Sequence, residues 1–545
     1  MKFTSPLLMV VSAVVLAGCA ATPPTPLPDP RGTAITILHT NDHHGRFWRN
    51  AEGEYGMAAR KTVVDAIRAE VAAAGGYSLL LDGGDVNTGV PESDLQDAVP
   101  DFHGMNLLGY DAMAVGNHEF DKPPPVLAMQ RKLATFPLLS ANIYRDGQRA
   151  FDPYKLFNLG GVRVAVMGLT TEDTRKMGNP EYMRGLDFRS PIAEAAQLVP
   201  TLRQQADVVI ATTHMGHYTD AKHGQLAPGD VEMARAVPGL DLVVGGHSQN
   251  PVCMVAENAR NDAYVPGGPC QPDRQNGAWI VQAHEWGKYV GRADFVYRQG
   301  RFNLVKYTLI PINLKQPATA SGQRATYGAP IAENPQMLAL LAPYQAFGQE
   351  RLLATVGQSD ARLEGDRAIV RKQATNLGQL IGQSMIAQTG ADFAILNAGG
   401  IRDSLPEGTI TYKDILKTLP FGGALATVHL SGREVMDYLQ AALRMQAGSG
   451  SFAHLRGIHP VLSGDRLLQA RIGSDFVQPE RMYKMVISHF VGVGGDGYPV
   501  LSNHPGYVNT GYVDGEALRA FVSAHSPIRA SEFAPPPAMA AQPVQ

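Results

Sequence analysis

The run Ala114-Val115-Gly116-Asn117-His118-Glu119-Phe120-Asp121 sets an amide, an imidazole and two carboxylates within five residues of a glycine. Polar groups held just past an apolar strand end are how open α/β folds build reactive sites. Four other apolar runs end in the same way, on polar groups beside glycine: Thr40-Asn41-Asp42-His43-His44-Gly45, Asp82-Gly83-Gly84-Asp85, His214-Met215-Gly216-His217 and Gly246-His247-Ser248-Gln249. Taken singly, such residues are solvated loop or capping groups. Taken together, Asp42, His44, Asp85, Asn117, His214, His247 and Gln249 form a mixed oxygen and nitrogen donor set without thiolate, suited to Mn, Zn, Co or Fe. Two such ions can share one carboxylate, polarise a phosphoryl oxygen and activate water. His118 and Asp121, three residues apart, suit an imidazole whose basicity and tautomer are set by a carboxylate.

The elements that position these groups alternate. Ala34 to His39, Ser78 to Leu81, Ala112 to Val115, Val162 to Gly168, Asp207 to Thr213 and Leu240 to Gly245 read as strands. Met57 to Ala74 and Ile192 to Gln205 have helical apolar spacing, and Met105 to Leu108 reads as a short helix. This rhythm implies an α/β fold with a largely parallel sheet layered by helices, its strand ends sharing one edge.

With 545 residues, 44% hydrophobic and 18% charged, the chain can bury two or more cores. A formal net charge of -3 gives no support for binding a nucleic-acid polymer. Residues 1–18 read as a signal peptide, with an apolar run from Leu7 to Leu16 too short to span a bilayer. Leu16-Ala17-Gly18-Cys19 resembles a bacterial lipobox, which implies a lipid anchor on Cys19; a plain cleaved signal is the alternative. Ala20 lacks the acidic residue that commonly retains lipoproteins at the inner membrane, so the expected location is the cell envelope, anchored to the outer membrane. Residues 19–33 form a Pro-rich tether. Cys253 and Cys270 remain as a pair suited to a local disulfide in an oxidising compartment; no CxxC pattern supports a thiolate metal site.

The segments HTNDHHGRFW, GGDVNTGVPESDLQDA, AVGNHEFD, ATTHMGHY, GGHSQNPVCM and AHEWGKYVGRADF resemble the calcineurin-like metallophosphoesterases, and within them the bacterial periplasmic UDP-sugar hydrolase/5'-nucleotidase family. The resemblance covers nearly all of the mature chain. It implies one divalent ion on Asp42, His44, Asp85 and Gln249, and a second on Asp85, Asn117, His214 and His247, with Asp85 bridging. It makes His118 a catalytic group rather than a ligand, oriented by Asp121. His43, His217 and Glu119 have no matched role and read as supporting residues.

In the second half, Arg367, Arg371 and Arg402 lie near Gly-rich turns, and guanidinium forks match phosphate oxygens. Aromatic faces stack on bases, and carboxylates accept from ribose hydroxyls. The resemblance implies Phe421 and Phe490 on the base, Asp496 on the ribose and the three arginines on phosphate, with Asn397 and Gly400 beside them. His489 stands where the family commonly has Asn before the second Phe.

The expected organisation is a metallophosphoesterase domain over 34–333, a linking helix over 334–353, an α/β nucleotide-recognition domain over 354–530 and a disordered tail over 531–545. The expected protein is a monomer that binds two divalent ions (Zn, Mn or Co) and acts on nucleotides and nucleotide-sugars. It removes phosphate from nucleoside 5'-monophosphates and cleaves the pyrophosphate of UDP-sugars by metal-activated water attack. A 2',3'-cyclic-nucleotide phosphodiesterase/3'-nucleotidase and a non-catalytic nucleotide-binding lipoprotein are the alternatives.

Overall fold

The structure is a computed structural model that describes residues 32–177, 182–219, 228–319, 322–347 and 349–536. The signal peptide, Cys19 and the tether through residue 31 lie outside the described residues, as do residues 537–545.

Alternation of apolar side chains gives each central strand of the first half two buried faces. In Thr33–Thr40 and Tyr77–Asp82, Ile35, Ile37, Leu79 and Leu81 face one core, while Leu38 and Leu80 face another. The first core also takes Val164, Val166, Val208 and Ile210 from a different sheet. The single, largely parallel sheet expected from the strand rhythm is therefore two six-stranded sheets packed face to face. Each has parallel central strands; the second sheet is antiparallel at both edges and the first at one, where the hairpin of Tyr289–Arg298 and Arg301–Pro311 lies beside Thr33–Thr40. Periodicity reports that a strand is buried on both faces; it carries no information on which sheet the strand joins.

Helices Met57–Ala73, Val99–Leu108 and Pro124–Leu133 pack on the outer face of the first sheet, and Pro191–Gln205 and Asp230–Ala236 on that of the second. The result is a four-layer α/β/β/α domain. Cys253 and Cys270 form the disulfide, with Cα atoms 4.9 Å apart.

The linking segment is a helix, Pro335–Ala346, followed by a one-turn helix, Gln349–Leu352. Asn334 caps the helix by accepting from Met337 N–H at 3.0 Å. Met337 and Leu341 bury into the N-terminal core.

The C-terminal half is built on a five-stranded mixed sheet, in order Ala453–Arg456, Phe393–Asn397, Met482–Ser488, Ala424–Ser431 and Tyr507–Val513. The beginning of the expected disordered tail differs: Ala530–Phe533 is a short 3-10 turn, and Phe533 packs into the C-terminal core. An aromatic ring at that position finds apolar surface to cover before the Pro/Ala-rich composition takes over.

Candidate active site

All five N-terminal motifs emerge at one edge of the two sheets. Thr33–Thr40 and Tyr77–Asp82 deliver Asp42 and Asp85, the end of Ala112–Ala114 delivers Asn117 and His118, Val208–His214 ends on His214, and Leu242–Val244 leads to His247 and Gln249. The sheets meet there through glycine backbone. A Cβ on Gly83 would lie 2.6 Å from the Gly245 carbonyl oxygen, and one on Gly246 2.6 Å from the Gly83 oxygen.

Five of the seven candidate ligands occupy the left-handed region without being glycine: Asp42 (φ 51), His44 (φ 51), Asp85 (φ 63), His247 (φ 75) and Gln249 (φ 54). Such conformations are costly for side chains of this size and persist where the surroundings enforce them. Their effect is to turn each side chain toward a common point.

Among the described residues, His44, Asp85 and His118 offer ligand atoms within 4.8 Å of one another, and so do Asp85, His214 and His247. Asp85 belongs to both groups. Its Oδ2 lies 3.0 Å from His214 Nε2, 3.8 Å from His44 Nε2 and 4.0 Å from His118 Nε2. Asn117 Oδ1 is 3.1 Å from His214 Nε2, His247 Nδ1 is 3.2 Å from the same nitrogen, and the Gln249 side chain is 2.8 Å from His44 Nε2. Asp42 Oδ1 is 3.9 Å from His44 Nε2 and is buried with no hydrogen-bond partner among the described residues. All seven candidate ligands thus gather in one place.

The electrostatics fit a cation site. Burial pushes the Asp42 carboxyl up to about 7. Burial also opposes charge on Asp85 and His214, yet their mutual attraction wins: Asp85 is held well below the usual carboxylate range and His214 is lifted to about 10. The outer nitrogens of two candidate ligand imidazoles are anchored on backbone: His214 Nδ1 donates to the Gly83 oxygen at 2.7 Å and His44 Nδ1 to the Thr88 oxygen at 2.8 Å, leaving both Nε2 atoms to face the centre. An orphaned carboxylate oxygen, inward-facing imidazoles and oxygen donors without thiolate are what divalent ions of this class require.

His118, within reach of the same cluster, has a carboxylate partner of its own. Its Nδ1 donates to Asp121 Oδ2 at 2.5 Å, which also accepts from Thr88 Oγ1 at 2.7 Å, and its backbone N–H donates to Asp85 Oδ1 at 2.9 Å. Burial works against its imidazolium, but Asp121 and Asp85 outweigh burial and raise its pKa above the ordinary histidine value. Glu119 accepts from the N–H groups of Gly116, Asp85 and Val86 at 2.7, 3.1 and 2.8 Å, a brace behind the carboxylate common to both groups. His217 pairs with Asp273 at 2.9 Å, away from the centre.

Above this cluster opens a cavity of ≈ 830 Å³ shared by both domains, within the range of nucleotide-sized ligand sites. Its N-terminal wall includes Asp85, Asn117, His118, Asp121, His247 and Gln249; its C-terminal wall includes Arg367, Arg371, Asn397, Gly400, Arg402, Phe421, Phe490 and Asp496. Arg367 Nη1 donates to Gln249 Oε1 at 2.5 Å, and the Arg402 guanidinium lies 5.6 Å over the Phe421 ring. Burial and mutual repulsion among the arginines push Arg371 down to about 9 and Arg402 to about 10. Asn397 Nδ2 donates to Asp496 Oδ2 at 2.6 Å, and burial raises the Asp496 carboxyl. His489 also lines the cavity, its Nδ1 2.6 Å from the Tyr507 hydroxyl.

Sequence reasoning missed several lining or supporting residues. Thr88 and Arg46 sit inside motifs already singled out, three residues beyond Asp85 and two beyond His44; Arg46 Nη1 donates to the His44 oxygen at 2.7 Å. Tyr218 and Asn250 also line the cavity from within the ATTHMGHY and GGHSQNPVCM segments, one residue beyond His217 and one beyond Gln249, while Tyr182 and Asp514 line it from segments with no motif to mark them.

The calcineurin-like phosphoesterase family matches residues 35–251, and the 5'-nucleotidase, C-terminal domain family matches residues 355–503. Protein UshA of Escherichia coli (strain K12) is 54% identical over 510 residues, covering 92% of this chain and 93% of that protein. The chain belongs to the 5'-nucleotidase family. A 5'-nucleotidase of Vibrio cholerae is 50% identical over 537 residues, 96% of this chain and 97% of its own. The crystal structure of a 5'-nucleotidase precursor from Thermus thermophilus superposes with a TM-score of 0.72 at 29% identity, covering 90% of this chain and 96% of that one. A member of this family carries divalent metals, and the two His/Asp groups around Asp85 are the candidate seats for them.

Proposed function

We propose that this chain is an exported, metal-dependent hydrolase that releases phosphate from nucleoside 5'-monophosphates and cuts UDP-sugars at the pyrophosphate. The observation that carries this reading is the single cavity joining the Asp85 and His118 cluster to Arg371, Arg402, Phe421, Phe490 and Asp496. The relatives, named UshA and 5'-nucleotidase, support the same chemistry.

In this reading Asp42, His44, Asp85 and Gln249 hold one divalent ion, and Asp85, Asn117, His214 and His247 the other. Zn, Mn or Co suits the donors. Ions there supply Lewis-acid polarisation of the phosphoryl group and an activated water. His118, kept cationic by Asp121, donates positive charge or a proton to the phosphoryl oxygens as charge develops. Arg367, Arg371 and Arg402 hold the phosphate oxygens, with Asn397 and Gly400 in the adjoining turn. Phe421 and Phe490 clamp the base, and Asp496 accepts from the ribose. The export signal and the Cys253–Cys270 disulfide support an envelope location, and the lipobox supports an outer-membrane anchor on Cys19. The active unit in this reading is a monomer.

The test is phosphate release from UMP, AMP, 3'-AMP, UDP-glucose and bis(p-nitrophenyl) phosphate, with and without chelator. Metal-dependent turnover of UMP, AMP and UDP-glucose is expected. Preference for 3'-AMP and the diester, or nucleotide binding without release at saturating metal, overturns it.

A further inference from the structure

Between the candidate ligands Asp42 and His44, the intervening His43 side chain turns away from the cavity into the protein. It is 1% exposed, as is Arg60, and Asp101 is 0% exposed. Arg60 Nη2 lies 3.2 Å from His43 Nδ1, and His43 Nε2 lies 2.8 Å from Asp101 Oδ1. A guanidinium can only donate, so Nδ1 is the acceptor and Nε2–H donates to the carboxylate. Asp101 Oδ2 is completed by Ser93 Oγ, which donates at 2.5 Å. An arginine and an aspartate are thus paired through a neutral imidazole, with every bond directional and buried.

The same assembly grips the other flank of the segment. A Cβ on Gly287 would lie 1.5 Å from Arg60 Nη2, so the guanidinium fills the space beside that glycine. The preceding residue, Trp286, donates its N–H to the Asp42 oxygen at 2.7 Å. Asp42 and His44, both at φ 51, are therefore fixed from two sides: by the His43 imidazole anchored on Arg60 and Asp101, and by the Trp286-Gly287 turn resting on Arg60. Asn117, His214 and His247 hang from other strand ends and hold each other across the centre.

We propose that Arg60, His43 and Asp101 are positioning residues that set the affinity of the ion held by Asp42 and His44, selectively over the ion held by Asn117, His214 and His247. The proposal rests on the dimetal reading of the site. Residues that orient ligands in this way govern metal affinity by about 10- to 100-fold. Loosening of the fold in general would instead weaken both ions together.

The experiment is equilibrium dialysis of the full chain against Mn²⁺, with bound metal counted by elemental analysis and inspected by electron paramagnetic resonance. Wild type is expected to hold two equivalents. His43→Leu, which keeps bulk and removes both hydrogen bonds, is expected to hold one tightly and the other at least about tenfold more weakly, with the six-line spectrum of an isolated Mn²⁺. His43→Gln, whose amide can both accept from Arg60 and donate to Asp101, is expected to recover the second equivalent. Should the leucine variant fail to fold by circular dichroism, Asp101→Asn, which removes the charge facing Arg60, carries the same expectation. Two equivalents at wild-type affinity in the leading folded variant, equal weakening of both ions, or a glutamine variant as defective as leucine overturns the proposal. A wild type that binds fewer than two equivalents sinks the dimetal reading itself.

Discussion

The imidazole of His118 lies parallel to the ring of Phe421 across the domain boundary, centroids 6.2 Å apart and planes 10° from each other. One ring comes from the phosphoesterase half and the other from the nucleotide-recognition half, so the groups assigned to chemistry and to base binding meet where the two walls of the cavity join. Replacing Phe421 by Ala removes a stacking face worth about 1–3 kcal/mol. The Michaelis constant for AMP is expected to rise about 5- to 150-fold with a smaller change in kcat, and steady-state kinetics that leave it unchanged remove Phe421 from the base clamp.

Asp121 sets the charge of His118. Its carboxylate is the leading influence that overcomes burial and holds the His118 pKa above the ordinary value. If the imidazolium is the active form, kcat/KM falls as pH rises through that raised pKa. Asp121→Asn withdraws the negative charge, so the imidazolium loses its proton at lower pH and the alkaline limb of the profile moves toward acid. A limb that stays in place rejects the pairing.

Asp85 is common to both candidate ion sites and also receives the His118 backbone N–H. Asp85→Asn keeps the shape and removes the anion on which His214 and His118 depend. Turnover of AMP is expected to drop by at least about two orders of magnitude, with a loss of bound metal. Near-normal turnover at full metal content contradicts the bridging role.

Removal of metal gives a reversible test. Dialysis against a chelator is expected to abolish phosphate release, and added Mn, Co or Zn to restore it, because the oxygen and imidazole donors stay folded on backbone anchors such as the Gly83 and Thr88 oxygens. Activity that survives exhaustive chelation, checked by elemental analysis, excludes the proposed chemistry.

The sequence made the N-terminal site legible because each donor follows an apolar run that can only be a buried strand: Ile37 and Leu38 before Asp42, Leu81 before Asp85, Val244 before His247. What it hid was conformation and partnership. Nothing in an Asp or a His announces φ near +50°, yet Asp42, His44 and Gln249 adopt it. Nor does local pattern tie His43 to Asp101, 58 residues away. In the C-terminal half, Arg371, Phe490 and Asp496 stood out through family resemblance, since an arginine or a phenylalanine on its own has too many ordinary uses. Asp514 had neither signal: it is the first residue of a helix, and its place on the cavity wall follows from how Tyr507–Val513 joins the sheet.

The backbone contact at Gly83 and Gly246 has a consequence for how such a protein can change over generations. Those residues donate nothing to an ion or a nucleotide, yet a single methyl group at either would wedge the ends of the two sheets apart and pull Asp42 and Asp85 away from His214 and His247. Tolerance to mutation should therefore be lowest along this narrow seam, while the outer helices and far loops drift freely.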